Sequence, residues 1–365
     1  MENNAKSGCC CQSACGDNQP AKKERWITGY IKTNIGMVPK VSNSLSFSDK
    51  LGEVKVKIGI GRNKYVITPG LYAVGNPDER SPVFVSANYM LSFNVLRKEL
   101  LGIDSWILVL DTRGINVWCA AGKGTFGTNE IVNRIKQTKL DQVVSHRTLI
   151  LPQLGAPGIA AHEVKKISGF KVVFGPVRAK DIKKYLDSGL KATPLMRKVY
   201  FTLKDRLVLT PLEFIGTFRY LFILIGIFLI KNWILSGSAS IDKVMLITLR
   251  ELLPFFGAVF VGTVLVPLLL PWIPGKAFAW KGGLLGAVWA GLYFFLLQEI
   301  TSPINIIGKL FIITSISSFL AMNFTGASTY TSLSGVIKEM QIAVPVQLSL
   351  GLLGIVLLIV DIVII

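Results

Sequence analysis

The chain reads as an α/β domain followed by an all-α membrane domain of five transmembrane helices. Three observations predict this. Charge is concentrated in the first part: residues 1–211 carry 32 Lys and Arg against 16 Asp and Glu, whereas residues 212–365 carry 8 against 6. The second part holds five apolar stretches instead: Leu212–Ile230, Leu252–Ile273, Gly282–Leu297, Ile304–Met322 and Ile342–Ile365. Each is close to the ~20 residues that a helix needs to cross a bilayer. The first part alternates short apolar, β-branched runs with stretches of helical spacing, as layered α/β domains do.

The elements follow in order. Met1–Ala21 is small, polar and without periodicity, so residues 1–21 read as a disordered tail. It holds four of the five cysteines, Cys9, Cys10, Cys11 and Cys15. Residues 22–200 form the expected α/β domain. Val54–Ile60 alternates apolar and charged residues and predicts a strand. Pro82–Ser86, Trp106–Leu110, Thr148–Leu151 and Val172–Phe174 are short apolar runs of strand length. Asn94–Leu101, Asn129–Thr138 and Ala179–Ser188 have helical spacing. Residues 201–211 are expected to link this domain to the membrane domain, 212–365. There Gly282, Gly286 and Ala290 form a ridge of small residues suited to helix packing.

Charge and leader composition set the expected compartment. Met1–Gln19 has no apolar core of the kind a signal peptide carries, so the first domain is expected to stay in the cytoplasm. The basic pairs Arg197/Lys198 and Lys204/Arg206 before the first span agree with that orientation. The expected location is the cytoplasmic (inner) membrane, crossed several times. The positive charge suits a domain beside anionic lipid. No nucleic-acid-binding signature is present, and none is expected as a partner.

One stretch carries chemistry. Trp106–Leu110 leads through Gly114 to Asn116-Val117-Trp118-Cys119-Ala120-Ala121-Gly122-Lys123, read as a short helix. Ligands of open α/β sheets sit at the carboxyl ends of such strands. Cys119 is either a buried structural thiol or a soft metal ligand. Asn116 is placed to cap the helix. Trp118 either packs in the core or, with Ala120, Ala121 and Gly122, lets the helix lie flat against a planar ligand. The run Gly122-Lys123-Gly124-Thr125-Phe126-Gly127 matches G-x-G-x-x-G, but a dinucleotide fingerprint follows its strand at once; here it reads as a glycine turn. His146 and His162, the only histidines, fit no D-x-H-x-x-G pattern. The tail cysteines are too close-set for a zinc framework. They are either without a role or a soft-metal scavenger.

Residues 116–123 match the N-V-W-C-A-A/S-G-K pattern of the cap helix in the HgcA family, the corrinoid protein of microbial mercury methylation. Pro69–Gly75, Ala87–Tyr89, Leu91–Phe93, Gly124–Thr128 and Gly175–Ala179 also resemble that family, and the likeness covers most of residues 36–200. The resemblance implies a Rossmann-like corrinoid-binding domain, similar to one in the corrinoid iron–sulfur protein of acetyl-CoA synthesis. It implies a base-off, cobalamin-type corrinoid with Cys119 as the lower axial cobalt ligand. Asn116, Val117, Trp118, Ala120, Ala121, Gly122, Lys123, Gly124 and Thr125 would line it, and His146 would lie near its nucleotide tail. The implied activity is methyl transfer to Hg(II), with a methyl donor of folate or pterin type. The implied partner is a ferredoxin-like protein with two 4Fe–4S clusters, which delivers electrons and mercury. Apart from the resemblance, the soft-metal reading of the tail cysteines would have them hand Hg(II) toward the site. Two rivals stand beside this: a corrinoid methyl carrier for another acceptor, and a membrane transporter with a regulatory α/β domain.

Overall fold

The computed structural model describes residues 24–237, 240–297, 302–327, 330–331 and 333–364. Cys9, Cys10, Cys11 and Cys15 lie outside the described residues. The chain forms two compact units. One comprises Ile67–Lys191 with the strands that precede Ser46; the other comprises Phe47–Val66 and Ala192–Ile365.

The first unit is built on a seven-stranded sheet. Its strands are β1 (Ile27–Thr33), β2 (Gly36–Val41), β3 (Gly70–Val74), β4 (Val83–Ala87), β5 (Ser105–Leu110), β6 (Thr148–Leu151) and β7 (Lys171–Phe174), in the order β1-β2-β3-β5-β4-β6-β7. β5, β4, β6 and β7 are mutually parallel. β3 runs antiparallel to β5, and the β1–β2 hairpin extends the sheet beyond it. The sheet is therefore mixed, with a parallel Rossmann-like half and an added three-stranded edge.

Every residue of β4 and β5 is buried, as expected of strands covered on both faces. On one face Val85, Leu108 and Leu149 pack with Ile131 and Ile135 of α4 (Thr128–Gln137) and Val164 of α6 (Ala161–Ser168). On the other, Phe93 of α2 (Met90–Glu99) meets Tyr72 and Trp26, with ring centroids 5.5–5.6 Å apart. The connection after β4 leads to β5 on one side. The next crossover, through α3 (Val117–Gly122), α4 and α5 (Leu140–Val143), places β6 on the other. The carboxyl ends of β4 and β6 thus flank a topological switch point, where open α/β sheets bind ligands. α7 (Ile182–Asp187) follows β7.

One sequence expectation fails. Val54–Ile60 is not a strand: Phe47–Lys57 is a helix, α1. Its alternation arises because Val54 and Ile58 share one side of the helix while Val56, half a turn away, is buried on the other. The segment read as a linker, 201–211, is helical from residue 203. It opens α9 (Leu203–Leu235), whose start is fixed by a capping box between Thr202 and Asp205.

In the second unit, α8 (Pro194–Arg197) precedes α9, and α10 (Ile241–Phe260) runs through a π-helical turn at Val261–Leu265 into α11 (Val266–Leu269). α12 (Phe278–Leu297), α13 (Pro303–Asn323) and α14 (Leu333–Ile364) follow. Among the described residues, five helices are long and apolar enough to cross a membrane: Leu203–Leu235, Ile241–Leu269, Phe278–Leu296, Pro303–Gly326 and Ser334–Ile364. The small-residue ridge packs on α13: a Cβ on Gly282 would lie 2.6 Å from Ser317 O, and one on Gly286 2.8 Å from Ser317 Cβ.

Arg97 ties α2 to the chain leaving β2. Fully buried, it donates from Nη1 to Ser42 O (2.5 Å) and Ser44 O (3.2 Å), and from Nε to Asn94 Oδ1 (2.9 Å). Arg97→Leu leaves these acceptors without their donor and should cost about 3 kcal/mol. The readout is amide exchange of the full chain, with protection lost across β2 and α2.

Candidate functional site

The helix α3 stands at the carboxyl end of β5, and a chain of side-chain hydrogen bonds aims it. Asn88, just past β4, accepts at Oδ1 from Thr112 N (3.0 Å) and Gly114 N (2.9 Å). These two backbone donors fix which end of the amide is oxygen, so Nδ2 faces Asp111 Oδ1 at 3.3 Å. The Thr112 hydroxyl lies 2.8 Å from Asn88 Oδ1 and 2.7 Å from Ile115 O and has one proton for the pair. Asp111 N donates to Glu130 Oε1 (2.8 Å), and Arg134 holds Glu130 at 2.7 Å. The turn carries Arg113 and Gly114 in the left-handed region, at φ 56° and 71°.

Asn116 caps the helix as expected: its Oδ1 accepts from Cys119 N at 2.9 Å. Val117, Ala120 and Ala121 point inward and are buried. Cys119 is half-buried and in no disulfide, and Trp118 is 40% exposed. Gly122, Lys123 and Gly124 are exposed, and a Cβ on either glycine would meet nothing within 4 Å. The outer side of the helix is thus open beside the thiol.

The turn after the helix is firmly held. Thr125 N and Phe126 N both donate to Ala120 O, and Phe126 is fully buried. Gly127 lies so close that a Cβ would come within 2.6 Å of Gly124 O. α4 begins at the next residue, so the glycine turn opens α4 rather than a helix directly after β5. Behind α3 runs a 3₁₀ segment, Gln153–Gly158. A Cβ on Gly158 would collide with Phe126 O and lie 3.0 Å from Ala121 Cα.

A cleft of about 390 Å³ opens beside α3 at the switch point. Phe84, Ser86, Leu91, Trp118, Ile150 and Val177 are among its walls, drawn from β4 and β6 and from the segments that follow β4, β5 and β7. Asn116 and Val117 also line it. It is mostly apolar, of the size and position that small-ligand sites take.

The structure does not bring His146 to this place. The residue precedes β6 and so stands at the amino edge of the parallel strands, whereas α3 follows the carboxyl edge of β5. Its Nδ1 accepts from Thr148 N (3.2 Å), so the proton sits on Nε2, which donates to Ser81 O (2.9 Å). At the same edge, hydrogen bonds from the Ser81 hydroxyl and Arg80 N–H hold the Asp78 carboxyl below its usual range. Asn88, Glu130 and Gly158 are supports that sequence reasoning did not single out. The sequence signal for Asn88 is a lone carboxamide directly after an apolar strand.

Could this set hold the cofactor that the motif implies? Among the described residues no group of three or more His, Cys, Asp and Glu side chains is arranged to hold a bare metal ion. A metal already held by a macrocycle needs only one axial donor from the protein. A single soft sulfur donor on an open helix face fits that demand.

Comparison with known proteins points the same way. Residues 62–186 match the family described as CO dehydrogenase/acetyl-CoA synthase delta subunit. The acetyl-CoA decarbonylase/synthase complex subunit gamma of Archaeoglobus fulgidus is 34% identical over 128 residues, 34% of this chain and 27% of that protein. The Methanopyrus kandleri subunit gamma is 31% identical over the same length, also covering 34% of this chain and 27% of that protein. The corrinoid/iron-sulfur protein large subunit of Moorella thermoacetica is 31% identical over 114 residues, 31% of this chain and 25% of that protein. The chain spans about a quarter of the length of these relatives. The family match includes α3 and the switch-point strands; the hairpin β1–β2 and helices α8 to α14 lie outside it.

Gly158→Ala should drive the 3₁₀ segment off α3 and cost about 1–3 kcal/mol through overpacking. Gly122→Ala should leave stability unchanged or slightly raised, since its Cβ meets open space. Thermal unfolding of the two variants checks the contrast.

Proposed function

We propose that this chain is a membrane-anchored corrinoid methyl carrier in which Cys119 is the lower axial ligand, and that it transfers the methyl group to Hg(II). The observation that carries the reading is the half-buried thiol of Cys119, on a capped helix at the carboxyl edge of a parallel sheet, beside an apolar cleft. The similarity of residues 62–186 to a corrinoid/iron-sulfur large subunit supports the cofactor class. The match of residues 116–123 to the mercury-methylation cap helix supports the acceptor.

A bound corrinoid supplies a cobalt centre that carries a methyl group, with the protein tuning its electronics through the axial ligand. The residues then divide the work. Cys119 would hold the metal of the corrinoid through its sulfur, and that soft donor would favour release of a methyl group to a soft electrophile. The Asn116 cap fixes the first turn of α3 and so the direction of the thiol. The exposed Trp118 indole and the bare Gly122 and Gly124 present a surface that a planar ring can approach. The cleft at the switch point takes the part of the cofactor that projects past the ring. Lys123 is free to meet an amide or phosphate at its edge. His146, at the far edge of the sheet, has no part in ligation.

The remaining reactants come from elsewhere. The methyl group comes from a folate- or pterin-type donor, and reducing electrons from a ferredoxin-like partner with two 4Fe–4S clusters that also delivers mercury. The five long apolar helices anchor the chain in the cytoplasmic membrane, with the α/β unit on the cytoplasmic side. Cys9, Cys10, Cys11 and Cys15 serve as a relay for Hg(II).

Corrinoid-loaded protein should show a base-off spectrum with a sulfur-to-cobalt signature that vanishes in Cys119→Ala. Methylmercury formation should vanish with it, while His146→Ala keeps most of the activity. Gly122→Ala should bind the corrinoid more weakly at unchanged stability. Full activity in Cys119→Ala would refute the ligand role. Corrinoid binding and methyl uptake without transfer to Hg(II), with the ferredoxin-like partner present, would leave a methyl carrier for another acceptor.

A further inference from the structure

The helix α1 is packed inside out for a helix in water. At 100° per residue, Phe47, Leu51 and Val54 fall within one narrow stripe. That stripe faces outward: Phe47 is 81% exposed, Val54 54% and Leu51 44%. The opposite face is the buried one, and it carries Asp49 and Val56. Tyr65 packs there: its ring lies against Gly52, and its hydroxyl donates to Asp49 O at 3.4 Å.

Charge flanks the stripe. Lys50 and Lys57 lie on one side of it and Lys55 on the other, all three exposed. Glu53 pairs with Lys57 at 3.8 Å and offsets that charge, which leaves Lys50 and Lys55 as the cations beside the stripe; Asp49 is buried on the opposite face. Arg62 and Lys64 follow in the next turn. Lysines bordering an apolar stripe extend their ammonium groups to the headgroup layer while their stems stay in apolar surroundings.

The level of α1 is set by α9. A Cβ on Gly59 would lie 3.0 Å from Leu212 Cδ1. Leu212 lies in the opening segment of α9, which carries Lys204, Asp205, Arg206, Glu213 and Arg219 before the uninterrupted apolar run that starts at Tyr220. α1 and this segment belong to the same compact unit.

We propose that α1 is an interfacial membrane anchor. Phe47, Leu51 and Val54 dip into the acyl-chain boundary of the leaflet where α9 enters, and Lys50 and Lys55 bind anionic phospholipid headgroups. The occupant of the stripe is lipid, because the stripe is continuous with the start of a membrane span and is bordered by cations.

The test uses the full chain in nanodiscs that contain a phospholipid with a photoactivatable acyl chain, followed by mass spectrometry and amide exchange. Acyl-chain labelling is expected within Phe47–Lys57. In phosphatidylglycerol discs the α1 amides should exchange roughly tenfold more slowly than in phosphatidylcholine discs, since each basic residue near an anionic surface adds to binding. In the double variant Leu51→Asp/Val54→Asp, labelling of α1 should fall about tenfold. Labelling of α13 and protection of β4 and β5 should stay unchanged, which shows that the variant is folded. Absence of acyl labelling on α1 while α13 is labelled overturns the proposal, as does labelling that survives the double variant. Equal α1 protection in both lipids overturns the headgroup part.

Discussion

The carboxamide of Asn88 governs where the candidate ligand stands. Its oxygen gathers the backbone of Thr112 and Gly114 at the end of β5 while Asn88 itself sits at the end of β4. Two adjacent parallel strands are thereby joined at the edge where the chain must turn. A turn with a left-handed Arg113 is strained by about 1 kcal/mol without compensation. The bonds to Asn88, and that from Arg113 N to Asp111 Oδ1, hold it in place. From that turn the chain has only Ile115 before the cap of α3, so the orientation of Cys119 follows from the geometry of Asn88. Glu130 adds a second tie from α4.

The parallel half of the first unit was legible because its strands are continuous apolar runs and its helices have strong periodicity. β5, β6 and α4 were located to within a residue. The edge strands were not legible. β1 and β2 contain Gly29, Lys32, Gly36, Pro39 and Lys40, and strands exposed on one side carry no uninterrupted apolar signal. α1 was misread for the same reason in reverse. The residues Val54-Lys55-Val56-Lys57-Ile58 satisfy a period of two, and only the structure reveals that Val56 is buried on one side of a helix while Val54 is exposed on the other. The placement of His146 required strand polarity: proximity in sequence to β6 says nothing until the amino and carboxyl edges are distinguished.

The second unit shows how apolar helices tolerate breaks when every backbone group must find a partner. Pro254 leaves Arg250 O without its helical donor, and the Tyr293 hydroxyl of α12 reaches it at 3.3 Å. Trp289 donates to Pro254 O at 2.9 Å, over a Gly257 that leaves room for the indole. Lys281, itself buried, donates to Leu270 O beyond the end of α11. Composition alone exposes the prolines but not these partners, which come from other helices. The same holds for charge. Lys231 and Glu251, 2.7 Å apart on α9 and α10, form a pair with Asn232 bridging to Glu251 and Thr248. Read singly, each looks like a residue to be kept near a span end.

The eight residues of the motif separate into those that the fold requires and those that it does not. Asn116 caps; Val117, Ala120 and Ala121 fill space against the sheet and the 3₁₀ segment. Trp118, Cys119, Gly122 and Lys123 face outward, and a stable α3 needs none of them. A large aromatic side chain is a poor choice for a solvated position, because it exposes apolar area. A soft thiol beside it adds no packing that a smaller residue would lack. Both fall together on one open face, beside an apolar cleft at the switch point.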